Sequence, residues 1–411
     1  MKLFNYTPSQ SSSFLLLLVL LSIILLNAMS CSSKKDTQPD NLSTVEMRQN
    51  VSKSSPITFS EEIKRVEYIP LELTDDKRSA ISNVFDISVT DDYIFIYAGY
   101  GAGIFQFSRI DGKFIRNFAQ RGGGPGETQL IFCFYVDEIA SKVYIVQAFP
   151  HKVLEYMFDG SFVGAHEQKR NISLQYPLGN NLIAVVGRER WPFSDPELIG
   201  MGVFNINGDT IAIKNDFARP DILPADASCI KDVRSALSYK SVLYHIASND
   251  TVFRLSHDGI QPAFVFDRQN SREFLEGALN PKINDLFPNN FTVWDFFETS
   301  KSFYVRAMID HKMYIFALDK ATNQTTSEIS NIDPREIFGY DRWMQGIGIR
   351  IGDGKIPFWP TKSFLEKNIL VQYLPAPEIF YLKEKGVINQ LPKEIDFIDE
   401  FSNPVVIIYH I

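Results

Sequence analysis

Four short turn signals set the limits on what this chain can fold into. Asp111-Gly112, Asp159-Gly160, Asn207-Gly208 and Asp258-Gly259 recur at intervals of 48, 48 and 51 residues. Each pair can supply the positive φ of a two-residue β-hairpin turn, and each lies between runs that read as strands. Around the first turn, residues 85–90, 93–97 and 104–108 come before, with Asp91-Asp92 as an earlier turn, and 114–118 come after. That is a four-stranded meander. The second copy runs 132–136, 143–146, 153–158 and 162 onward. Four strands repeating about every 50 residues are the pattern of a propeller blade.

Later copies are looser: 182–187, 202–206 and 210–214, then 242–246, 251–255 and 261–266, then 292–298, 302–306 and 312–318. Two helical excursions are predicted, at 271–279 and from Asp333-Pro334, where Asp333 can cap and Pro334 suits the first helical position. A ring must close, because open edge strands invite aggregation. The strands "RVEYIPLEL" at 65–73 and "PVVIIYHI" at 404–411, with 367–373, are expected to complete a sixth blade from both chain ends. The expected fold class is therefore all-β, a six-bladed β-propeller of four-stranded antiparallel blades. Composition agrees, since 33 Phe, 17 Tyr, 23 Gly and 21 Pro suit many short strands with frequent turns. A single propeller can absorb 411 residues.

The stretch "FAQRGGGPGETQLIFCFYV" has the look of a phosphate cradle. A Walker-type loop needs a lysine and a following helix, so that backbone N–H groups and the helix N-terminus converge on the anion. Here Gly126 is followed by Glu127 and Thr128, and then by the β-branched and aromatic run 131–136. The loop is expected to join strand to strand, with Pro125 and the flanking glycines shaping a compact turn. A formal net charge of −8 argues in the same direction against broad nucleic-acid binding.

The N-terminus carries an address. Residues 14–26 are apolar except for Ser22, which fits a signal-peptide core and is short for a membrane span. The following Asn27-Ala28-Met29-Ser30-Cys31 resembles the lipobox of bacterial lipoproteins, with Ala28 where leucine is usual. That resemblance implies that 1–30 are removed and that Cys31 is lipidated, so the membrane is an expected partner. The polar segment 31–56 is expected to be a flexible tether, and 57–411 the propeller.

"VEYIPLEL", "DGKFIRNFAQRGGGPGE", "NDTVFRLSHDGIQPAFVFD" and the terminal "NPVVIIYHI" together resemble the six-bladed β-propeller lipoproteins of Gram-negative gut bacteria, which are similar to NHL-type propellers. The resemblance covers residues 57–411. It implies a fold and a place in the cell envelope, outer membrane included, and it brings no catalytic residues.

Chemical motifs are sparse. The histidines 151, 166, 245, 257, 311 and 410 lack zinc-ligand spacing, and no Gly-x-Ser-x-Gly elbow occurs. Neither a metal nor a cofactor is expected. Cys133 and Cys229 are read as separate thiols, Cys133 buried on a strand. One segment stands apart, "GRERWPFSDPELIGMG" at 187–202, because long loops on rigid scaffolds are where binding tends to reside. Arg188, Arg190 and Trp191 there put forked donors beside a flat apolar face, suited to sugars, peptides or carboxylates. Arg306 and Trp343 are further candidates of the same kind. The leading expectation is a non-catalytic module that binds a glycan, a peptide or an envelope protein. Two alternatives stand beside it: a hydrolase or lyase with its site at the central channel, and a protein–protein scaffold.

Overall fold

The computed structural model describes residues 42–411 except 58, 60–61, 100–102, 148–151, 168–173, 180–181, 187–200, 206–208, 215–232, 239, 247–249, 268–291, 310–311, 330–355 and 357. The signal segment, Cys31 and both expected helices lie outside the described residues. The described strands form six antiparallel four-stranded sheets in a ring, a six-bladed β-propeller. Blade 1 is Asp86–Val89, Tyr93–Tyr97, Ile104–Ser108 and Phe114–Phe118. Blade 2 is Ile131–Asp137, Lys142–Gln147, Lys152–Met157 and Phe162–Glu167. Blade 3 is Leu174–Gly179, Leu182–Val186, Met201–Asn205 and Thr210–Lys214, and blade 4 is Val233–Ser238, Ser241–Ile246, Thr251–Ser256 and Gly259–Phe266. Blade 5 is Thr292–Glu298, Ser302–Ile309, Lys312–Asp319 and Gln324–Ile329. First strands of successive blades pack together around the axis, those of blades 1 and 2, 2 and 3, 4 and 5, and 5 and 6 among them.

Each blade is sandwiched between two others, so both faces of its strands are buried and the sequence alternates apolar with apolar. In "YIFIY", Ile94 and Ile96 join a core with Val371 and Ile408 of blade 6, while Phe95 and Tyr97 join a core with Phe134 and Ile145 of blade 2. The same division recurs between blades 3 and 4, 4 and 5, and 5 and 6. The core is thus a set of wedges between blades.

Blade 6 closes the ring from both chain ends. Its order is Lys362–Phe364, Ile369–Leu374, Val405–His410 and finally Arg65–Pro70. Val405–His410 pairs with Ile369–Leu374 on one side and with Arg65–Pro70 on the other, as expected. Between its second and third strands runs a long excursion with the helix Ala376–Glu384, which composition did not predict. Its Ile379 and Leu382, with Ile388, Ile395 and Ile398 beyond, fill the wedge between blades 5 and 6.

Two expectations need correction. Residues 43–56, assigned above to a tether, are folded onto the ring. Ser43–Val45 adds a parallel strand to the outer edge of blade 4, and Ser54 bridges Ser327 on the outer edge of blade 5. Val45 and Met47 are fully buried, which repays the ordering of a polar strap. The repeating turns, moreover, are mostly longer than two residues. Ser108 donates to Lys113 and Met157 to Ser161 across their turns, with Gly112 and Gly160 at φ 70 and 89°. Only at Asp258-Gly259 are the paired residues, Ser256 and Gly259, separated by two. Asn207-Gly208 lies outside the described residues.

Because consecutive strands are antiparallel, connections alternate between the two faces of the ring. First-to-second and third-to-fourth connections share one face and span two to five residues. Second-to-third and blade-to-blade connections share the other and run from two to 32 residues.

Candidate binding site

The glycine loop belongs to the long-connection face, between blades 1 and 2. Its strands are held by Thr128 N–H to Gln120 and Gly122 N–H to Thr128, both 3.1 Å. Where a phosphate cradle would take its anion, the loop uses its own: Gly124 N–H donates to Glu127 Oε2 at 2.7 Å. A Cβ on Gly122 would stand 1.9 Å from that same oxygen, so glycine is needed for the carboxylate to enter. Gly126, at φ 76°, offers its carbonyl to the Tyr156 hydroxyl of blade 2. The loop is a clasp between blades.

Near the axis on the same face, side chains from four blades meet. Lys362 opens the first strand of blade 6 and lies 2.8 Å from Asp86, which opens the first strand of blade 1. The Tyr176 ring of blade 3 stands 5.3 Å from its ammonium, and the Cys133 thiol of blade 2 lies within electrostatic reach of it. Burial works against the charge on Lys362, but the Asp86 carboxylate prevails and the ammonium pKa is raised. Lys362 is therefore a hydrogen-bond donor. Cys133 is a buried thiol on its strand, as expected, and Cys229 lies outside the described residues.

A second polar pair flanks blade 6 on its other side. Arg306, on the second strand of blade 5, grips Asp295 of the first strand with Nε at 2.8 Å and a terminal nitrogen at 2.5 Å. The guanidinium lies 4.2 Å above the Trp359 ring. Its forked donors are thus turned toward Asp295, and the carboxylate is the open partner. Arg188, Arg190, Trp191 and Trp343 lie outside the described residues. They occupy connections 187–200 and 330–361, which join strands ending at the long-connection face.

Sequence reasoning did not find Asp86, Asp295, Trp359, Tyr176 or Lys362. A signal existed for Asp86, the one charge in the strand "FDISV". None existed for Lys362, whose strand is three residues long.

The opposite face is closed by short ionic turns. Lys367 of blade 6 reaches Asp91 of blade 1 at 2.9 Å and Glu138 of blade 2. The hydrogen bond from Lys367 holds the Asp91 carboxyl below its usual range. Of the histidines, His245 is buried edge-on against Phe266, and His410 meets Glu67 at 2.6 Å. Among the described residues no group of three or more His, Cys, Asp or Glu side chains could hold a metal ion, and no helix is long and apolar enough to cross a membrane.

The fold and the two unlike faces define a six-bladed propeller of single-domain type with polar groups gathered near its axis. The chain belongs to the family described as a domain of unknown function, DUF4934, which matches residues 42–410. It shares its fold with a Bacteroides fragilis protein described as exported, with a TM-score of 0.64 at 17% identity over 90% of this chain and 99% of that one. A DUF4221 family member from Bacteroides vulgatus is similar at TM-score 0.40 and 11% identity, covering 65% of this chain and 85% of its own. The extracellular domain of a hybrid two-component system from B. thetaiotaomicron gives 0.35 and 11%, over 64% and 29% of the two chains. No curated protein matches the chain.

Proposed function

We propose that the protein is a cell-envelope lipoprotein whose NHL-like propeller binds a glycan, peptide or partner protein at its long-connection face without catalysing a reaction. The asymmetry of the ring carries this reading. Connections of up to 32 residues are confined to one face, while the other is held to five or fewer. Long segments on a rigid scaffold cost ordering entropy and are retained where they contact something. The exported relative supports the address, and Cys31 supplies an anchor to the outer membrane. Cys31→Ala is expected to release the protein from membranes, and retention after a salt wash would argue against the anchor.

Binding is tested on glycan and peptide arrays with the wild-type chain and Trp191→Ala. A stacking Trp191 predicts a loss of about 1–3 kcal/mol in affinity with an unchanged melting temperature. A lowered melting temperature with affinity intact would remove the 187–200 connection from the site. A second reading, a hydrolase or lyase at the axis, draws on the convergence of Asp86, Lys362, Tyr176 and Cys133. Against it, an ammonium held protonated donates a hydrogen bond but cannot attack as an amine.

A further inference from the structure

Residues 359–362 of blade 6 serve two ion pairs at once. Lys362 compensates Asp86 of blade 1, and Trp359 lies beneath the Arg306 that compensates Asp295 of blade 5. In both pairs the cation is the closed member and the carboxylate the open one. Side-chain exposure is 15% for Lys362 against 23% for Asp86, and 4% for Arg306 against 30% for Asp295. Each pair thus offers solvent an acceptor edge whose charge is neutralised from behind.

That arrangement selects among ligands by charge. An ammonium on the ligand would gain the carboxylate and meet the cation behind it, while an anion would meet the carboxylate first. A neutral hydroxyl loses nothing to either, and a carboxylate accepts its hydrogen bond more strongly than a neutral oxygen would. A peptide backbone fits less well, because it alternates donors with acceptors and both open groups here only accept. Trp359 and Lys362 are three residues apart where the chain enters the first strand of blade 6, so the two pairs lie to either side of that entry. The Tyr176 ring beside Lys362 adds a flat apolar surface.

From this we infer that the axial end of the long-connection face is a subsite for an uncharged oligosaccharide, with Asp86 and Asp295 accepting hydrogen bonds from its hydroxyls. The inference rests on the proposed binding function and narrows its ligand to one class. It is tested by titrating the full-length protein with neutral trisaccharides of glucose, galactose and mannose, with uronic-acid and amino-sugar counterparts, and with peptides. Neutral sugars are expected to bind at least tenfold more tightly than the charged ones. Asp295→Asn and the paired change Asp86→Ala with Lys362→Met, which leaves no buried charge unpaired, are each expected to weaken that binding about tenfold or more. Thermal melting checks that the variants fold, and the wild-type preference for neutral sugars stands as a test without them. Neutral-sugar binding unchanged in both folded variants would overturn the inference. Binding of charged sugars or peptides in place of neutral ones would overturn it while leaving the binding function intact. Failure of every probe to bind would overturn the inference and leave a partner protein as the ligand of the proposed function.

Discussion

The two faces of this ring are built from the same strands under opposite constraints. On one face every connection has five residues or fewer, and charged side chains tie neighbouring turns, as Lys367 ties Asp91 and Glu138. On the other, connections reach 32 residues, and the polar groups near the axis keep carboxylate edges open. The short face minimises loop entropy and holds the blades in register. Part of the long face's chain length serves the fold, since residues 379–398 fill the wedge between blades 5 and 6 and the glycine loop clasps blade 2. If the protein binds as proposed, recognition is expected on the side with the longer connections.

Both faces depend on closure, so the largest effect expected is its loss. Removing residues 405–411 deletes Val405, Val406, Ile407, Ile408 and Tyr409, all at most 1% exposed. Fully burying one such side chain contributes roughly 1.5–3 kcal/mol, against a total stability of about 5–15 kcal/mol. The truncated chain is expected not to fold, by circular dichroism and thermal melting. A cooperative transition at an unchanged midpoint would mean that the two faces do not need the ring.

A smaller effect separates the clasp on the long face from the ionic turns on the short one. Burial raises the Tyr156 hydroxyl to about 12 from an ordinary 10. Its folded pKa lies above the unfolded value, so its contribution is fully present below pH 10 and is lost as pH rises from 10 towards 12. Melting temperatures measured from pH 9 to 12 are expected to fall, and Tyr156→Phe is expected to flatten that fall. An equal fall in wild type and variant would show that the clasp is not what titrates.

The comparison also explains what could be read in advance. Blades 1 and 2 were legible because Asp-Gly signals punctuate strands that are apolar on both faces. The last strand of blade 5, "QTTSEI", was not. It is a polar outer strand, and its turn is built by Asp319 accepting from Ala321 and Thr322, with Asn323 at φ 57° in the place of glycine. The strap at 43–56 was hidden for a related reason: three residues of strand and one turn of helix lie in a polar segment, with Val45 and Met47 its fully buried apolar anchors. At the axis, alternation could place Asp86 on a strand but could not choose Lys362 as its partner. That pairing exists only once blade 6 has closed against blade 1.

Hydrogen exchange with and without bound ligand tells the two faces apart, because it reports each connection separately. The account predicts slowed exchange in the long connections, 187–200 and 330–361 foremost, with the short turns at 90–92, 138–141 and 365–368 unchanged. Protection of those short turns, with the long connections unaffected, would contradict it.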